Sequence, residues 1–203
     1  MPAILRFLLV TVLLLAGDLY LKTWSFEHIA GRPVVLTADA AETHSEFWQE
    51  HAHAPRVVIP HVLNLRLTTN TGAVFGLGKG NRVIFILVSA AATGLIGLMF
   101  WRSHARAWGL QIALAMILAG ALGNLYDRVR FAAVRDMLHM LPDVDLPLGL
   151  AWPGGVTEVW PWIFNLADVA LLAGVGLVLI VSWRSEPAKG QPQSSDPSQS
   201  TAA

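Results

Sequence analysis

The chain contains no cysteine, which removes disulfides, thiolate metal sites and a cysteine nucleophile together. Charge is scarce as well. Charged residues make up 14% of the 203 positions against 54% hydrophobic, and the mean hydropathy is +0.52, a balance that excludes an ordinary soluble domain and points to a membrane protein. Lys plus Arg and Asp plus Glu number 14 each, and no basic block stands out, so no nucleic-acid surface is expected. A Gly-x-Ser-x-Gly elbow, a Gly-rich phosphate loop and a His-Glu-x-x-His pair are all missing, which leaves serine catalysis, nucleotide use and zinc hydrolysis unsupported. His51 and His53 with Glu46 and Glu50 lack the three fixed ligands of a catalytic zinc, so no metal or cofactor is expected. Any chemistry has to come from Asp, Glu, His, Ser, Lys or Arg.

What the sequence does have is four stretches near the roughly 20 apolar residues needed to cross a bilayer: residues 4–24, 83–101, 108–126 and 162–183. The first does not read as a cleaved leader, since Leu15-Ala16-Gly17 is followed by Asp18 and the apolar run resumes to Trp24. Six of the eight tryptophans, Trp24, Trp101, Trp108, Trp160, Trp162 and Trp183, fall at the ends of the stretches, where indole rings sit at headgroup level. The short connection with Arg102 and Arg106 carries no acid, and Arg6 and Arg184 flank the outermost ends, so the positive-inside rule makes these ends cytoplasmic. Residues 25–82 and 127–161 then face outward. Within them Leu63, Leu65 and Leu67 alternate with polar residues, the period of a strand with one apolar face. The expected fold is an all-α membrane protein of four transmembrane helices with a small extracytoplasmic β-sheet lying on the membrane surface. Residues 1–184 form the membrane domain, and the Ser/Gln/Pro-rich stretch 185–203 is a disordered cytoplasmic tail. A short polar helix is expected within residues 39–50.

The polar residues inside these spans carry the functional reading, because intramembrane charge is costly and marks sites or ion pairs. Asp18 and Lys22 stand four apart on one helix face, the acid first, as a structural ion pair would. Asn124, Asp127 and Arg128 share a face at the outer end of the third span. They form either a satisfied helix-end cluster or a site lining, with Arg128 able to hold a carboxylate through two hydrogen bonds. Asn165 and Asp168 face together near the outer end of the fourth span. Consecutive antiparallel spans bring that end beside Asp136, a residue that by itself would read as a surface loop acid. Two carboxylates in a partly dry cleft cannot easily both ionise. One therefore keeps its proton while the other is a base, which suits amide hydrolysis by water without metal or covalent intermediate.

Five blocks in order, Gly17-Asp18 to Lys22, Asn70-Thr71-Gly72-Ala73-Val74-Phe75, Gly120 through Asn124 to Asp127-Arg128, Val134-Arg135-Asp136 and Phe164-Asn165-Leu166-Ala167-Asp168, closely resemble bacterial lipoprotein signal peptidase, the signal peptidase II family. The resemblance implies an aspartic endopeptidase of the cytoplasmic (inner) membrane. Such an enzyme removes signal peptides from diacylglyceryl-modified prolipoproteins, cutting before the lipidated cysteine on the extracytoplasmic side. It implies Asp136 and Asp168 as the catalytic pair. Asn70, Gly72, Asn124, Asp127, Arg128 and Asn165 would line or support the site, and Asp18 with Lys22 would brace it. Prolipoproteins and membrane lipid are the expected partners of a monomer. Two departures stand out: Ala132 replaces a glycine usual in the family, and Met137 replaces an aromatic residue. The segments 26–61 and 137–163 are also longer than typical. The competing reading is a non-enzymatic proton or cation carrier using the same intramembrane carboxylates.

Overall fold

The computed structural model describes residues 1–37, 44–72 and 82–184. Four long apolar helices, α1 (Ala3–His28), α3 (Arg82–Arg102), α4 (Trp108–Phe131) and α5 (Leu166–Arg184), are each long enough to cross a membrane. The short helix α2 (His44–Glu50) and strands β1 (Arg56–Ile59) and β2 (Leu63–Asn70) lie between α1 and α3, while β3 (Val134–Met140) and β4 (Ile163–Phe164) lie between α4 and α5. The short helix expected within 39–50 is α2; residues 38–43, like 73–81 and the tail from 185, fall outside the described residues.

Helix α4 is the hub, packing against α1, α3 and α5. Its buried face is built from small residues, Ala113, Ala115, Ala119, Gly120 and Gly123, because lipid gives helices no hydrophobic reason to associate and close van der Waals approach must do so. At Gly120 a Cβ would stand 2.3 Å from the Ala167 carbonyl oxygen, and at Gly123 2.5 Å from Asp18 Oδ2. Both glycines are thus conditions of the α4–α5 and α4–α1 contacts. The large apolar residues point the other way: Leu9, Leu13, Leu87, Leu95, Leu172 and Leu179 are exposed on the bundle surface, as lipid-facing residues are.

The four strands form one antiparallel sheet in the order β1-β2-β3-β4. Its apolar side, with Leu65, Leu67 and Met137, packs on Phe26 at the end of α1 and on Ile29 and Val34 beyond it. Met137 is fully buried, a flexible apolar side chain that fills an irregular gap in this core.

Helix ends differ from the hydropathy boundaries. The fourth span, α5, begins at Leu166, not at Trp162, because Ile163 and Phe164 pair with His139 and Leu138 as a strand; a short apolar run does not by itself distinguish the two structures. The first and third spans, α1 and α4, run on to His28 and Phe131. Helix α4 stops at Ala132, whose φ of 60° and ψ of 0° are left-handed. That conformation suits glycine, and an L-residue in it pays about 1 kcal/mol.

Candidate active site

Asp136 and Asp168 come together through the β3–β4 pairing. Leu138 opposite Phe164 fixes where β4 ends, and the chain turns directly from β4 into α5. The turn is made by Asn165. Its Oδ1 accepts the Asp168 backbone N–H at 3.0 Å, and Asp168 Oδ2 accepts the Asn165 backbone N–H at 3.2 Å. This is a reciprocal capping box at the start of α5, so the Asp168 carboxylate is held by the helix end it helps to form. Its other oxygen, Oδ1, accepts from Asn124 Nδ2 at 2.8 Å.

Asn165 also bridges the two acids. Its Nδ2 donates to Asp136 Oδ1 at 2.6 Å and to Asn124 Oδ1 at 3.2 Å. Asp136 is therefore not a loop residue but a member of β3, 2% exposed and opposite Thr68 on β2. Burial, and then the neighbouring Asp168 charge, push its carboxyl well above the ordinary carboxylate range.

Behind this pair lies a buried line of alternating charge. Lys22, with no exposed surface, stands 2.8 Å from Asp18 Oδ2 and 3.4 Å from Asp127 Oδ2, and donates to Asn124 Oδ1 at 3.2 Å. Asp127 in turn takes Arg135 through both oxygens: Nε and Nη2 donate to Oδ1 at 3.1 and 2.9 Å, and the Arg135 backbone N–H to Oδ2 at 2.9 Å. The Arg135 guanidinium lies over the Phe131 ring at 4.6 Å. Two acids and two bases balance, which is what makes burial of all four tolerable. Asp18 has a second task. Its Oδ1 accepts the Ala167 backbone N–H at 2.9 Å, satisfying another donor at the start of α5 from a different helix.

The outer-end cluster of α4 thus divides. Asn124 serves the acids, Asp127 serves Lys22 and Arg135, and Arg128 donates to two backbone carbonyls. Its Nη2 donates to the Gly72 carbonyl at 2.9 Å and its Nη1 to the Asn124 carbonyl at 3.4 Å, with the guanidinium over Phe85 at 5.0 Å. Gly72 N–H donates to Asn70 Oδ1 at 2.9 Å, so Asn70 and Gly72 join the site by way of Arg128. The bidentate role anticipated for Arg128 belongs to Arg135, which composition and spacing passed over. Its signal was present: an arginine between Val134 and Asp136 in a short apolar strand must find a carboxylate, and Asp127 is eight residues earlier. His53 ties the segment after α2 to β2, its Nε2 accepting the Leu67 backbone N–H at 3.1 Å.

Comparison with known proteins bears on most of the chain. A family model described as signal peptidase (SPase) II matches residues 10–184. Lipoprotein signal peptidases of Latilactobacillus sakei and Streptococcus pyogenes serotype M1 are 31% and 30% identical, over 87% and 89% of this chain and 92% and 94% of theirs. That of Deinococcus radiodurans is 30% identical over 91% of this chain and 80% of its own. A solved structure titled as a bacterial membrane enzyme superposes with a TM-score of 0.65 at 23% identity, covering 92% of this chain and 93% of the other, a likeness of fold. These matches do not favour the carrier reading. With a family model spanning the bundle, the sheet and both acids, this multi-pass membrane protein belongs to the signal peptidase II family of aspartic endopeptidases.

Proposed function

We propose that Asp136 and Asp168 are the catalytic pair with which this enzyme removes signal peptides from diacylglyceryl-modified prolipoproteins, before the lipidated cysteine. The observation that carries the assignment is Asn165, a single side chain that caps α5, fixes Asp168 and donates to Asp136. Asp168 accepts hydrogen bonds at both oxygens, an arrangement that suits an ionised base. Asp136, buried and short of charge compensation, keeps its proton at rest.

In the reaction Asp168 takes a proton from water as the oxygen attacks the scissile carbonyl carbon, and Asp136 gives its proton to the carbonyl oxygen. Collapse of the tetrahedral diol breaks the C–N bond. The leaving nitrogen takes the proton held by Asp168, and a diol hydroxyl returns one to Asp136. Asn124 and Asn165 orient the pair; Lys22 holds Asn124, and Asp18, Asp127 and Arg135 brace Lys22. Arg128, Asn70 and Gly72 shape the opening toward the substrate backbone. The site faces outward from the cytoplasmic membrane, with Arg6, Arg102, Arg106 and Arg184 on the cytoplasmic side.

The test is cleavage of a diacylglyceryl-modified prolipoprotein peptide by the purified enzyme, with the unlipidated peptide in parallel. Asp136→Asn and Asp168→Asn should each abolish turnover while remaining folded. A folded variant that cleaves like the parent sinks the pair, and equal cleavage of both peptides sinks the substrate class.

A further inference from the structure

Residues 142–160, the long connection between β3 and β4, fold into an ordered hairpin of their own. Val159 N–H donates to the Val144 carbonyl at 2.7 Å, Leu146 N–H to Thr157 at 2.7 Å, and Trp152 N–H to Val156 at 2.8 Å. Side chains lock the arms: Thr157 Oγ1 donates to Asp145 Oδ1 at 2.7 Å, and Trp152 Nε1 to the Glu158 carbonyl at 2.9 Å. Its polarity runs along its length. Asp143, Asp145 and Glu158 lie toward the base, where Glu158 shares a polar pocket of about 340 Å³ with Asn64, Arg66 and His139. Apolar side chains take the far end: Leu148 is 97% exposed and Leu150 58%, with Trp152 and Val156 also open.

Leu148 is unfavourable twice over in water. Its φ of 60° is left-handed, a conformation that crowds the side chain of an L-residue, and its side chain forgoes the stabilisation that burial of a leucine supplies. A surface contact that removes it from water recovers the second term. Trp152 packs edge-on against Trp162 at 4.9 Å, Trp160 against Trp162 at 5.4 Å and against Phe164 at 6.2 Å. This aromatic row leads to the start of α5, a helix long and apolar enough to cross a membrane, whose Val169 and Leu172 are exposed. Indoles next to the end of a span mark the headgroup level.

We propose that the hairpin is a membrane foot: Trp152 and Trp160 rest in the headgroup layer and Leu148 and Leu150 enter the outer boundary of the hydrocarbon, tethering the sheet that carries Asp136 to the bilayer. The inference does not depend on the catalytic assignment. Because the chain has no cysteine, single reporters are available. Leu148→Cys, Leu150→Cys and, on the polar side of the base, Arg66→Cys would each be labelled with an environment-sensitive nitrobenzoxadiazole fluorophore in phosphatidylcholine nanodiscs. The reporters at 148 and 150 should be blue-shifted, lose emission several-fold when the lipid carries an acyl-chain nitroxide, and resist aqueous iodide; the reporter at 66 should do the reverse. Iodide quenching at 148 and 150 without nitroxide quenching overturns the proposal. So does nitroxide quenching that appears only after lipidated peptide is added, since the hairpin would then be a substrate lid.

Discussion

Asn165 both caps α5 and donates to Asp136, and two substitutions separate these contacts. Asn165→Ser keeps an oxygen able to accept the Asp168 backbone N–H but is too short to donate to Asp136. Asn165→Ala keeps neither. Serine and asparagine are near-equal N-caps, while alanine costs about 1 kcal/mol relative to either. The alanine variant should therefore unfold earlier than the serine variant, by about 1 kcal/mol. Both lose the 2.6 Å donation to Asp136. The bond strengthens as Asp136 gives up its proton, from about 0.5–1.5 kcal/mol to a neutral carboxyl to about 1.5–3 kcal/mol to a carboxylate; losing that gain of about 1–1.5 kcal/mol, at 1.36 kcal/mol per tenfold, should lower kcat by about 5- to 13-fold in both variants alike. Apparent Tm followed by tryptophan fluorescence, and kcat on lipidated peptide well below either Tm, give the two readouts. If serine restores kcat together with stability, Asn165 works only as a helix cap and its link to Asp136 is irrelevant to catalysis.

Removing the buried cation should be severe. Lys22→Met leaves Asp18 without its partner and should cost about 3–5 kcal/mol; adding Asp18→Asn, which restores charge balance and keeps an acceptor for Ala167 N–H, should recover part of the loss in an unfolding assay. For Asp136 the folded carboxyl lies above its unfolded value, so its contribution to stability is complete below the unfolded value and lost as pH rises through the folded one. Asp136→Asn cannot ionise; its Tm should gain on the parent progressively toward alkaline pH, and a constant difference across the range would contradict the burial described. Ala132→Gly should raise stability by about 0.5–1 kcal/mol by relieving the left-handed helix end, measured as a shift in apparent Tm with unchanged kcat.

The sequence by itself determined the bundle and most of the parts. Hydropathy and length are local, and a bilayer leaves helices as the solution for long apolar runs, so four spans were legible. Asp18 with Lys22 was legible because helical spacing alone puts them on one face. Helix starts were less so: Trp162-Ile163-Phe164 is apolar enough to continue a span, and only pairing with β3 makes it a strand. Tertiary structure also decided the partners. Arg128 and Arg135 are equivalent to a charge count, and Asp127 chooses Arg135 because β3 folds back over the end of α4 and supplies a backbone N–H as well as a guanidinium. The sequence marked Asp136 and Asp168 as two acids at one membrane face. What brings them together is the register of β3 on β4, a long-range pairing that no local pattern encodes.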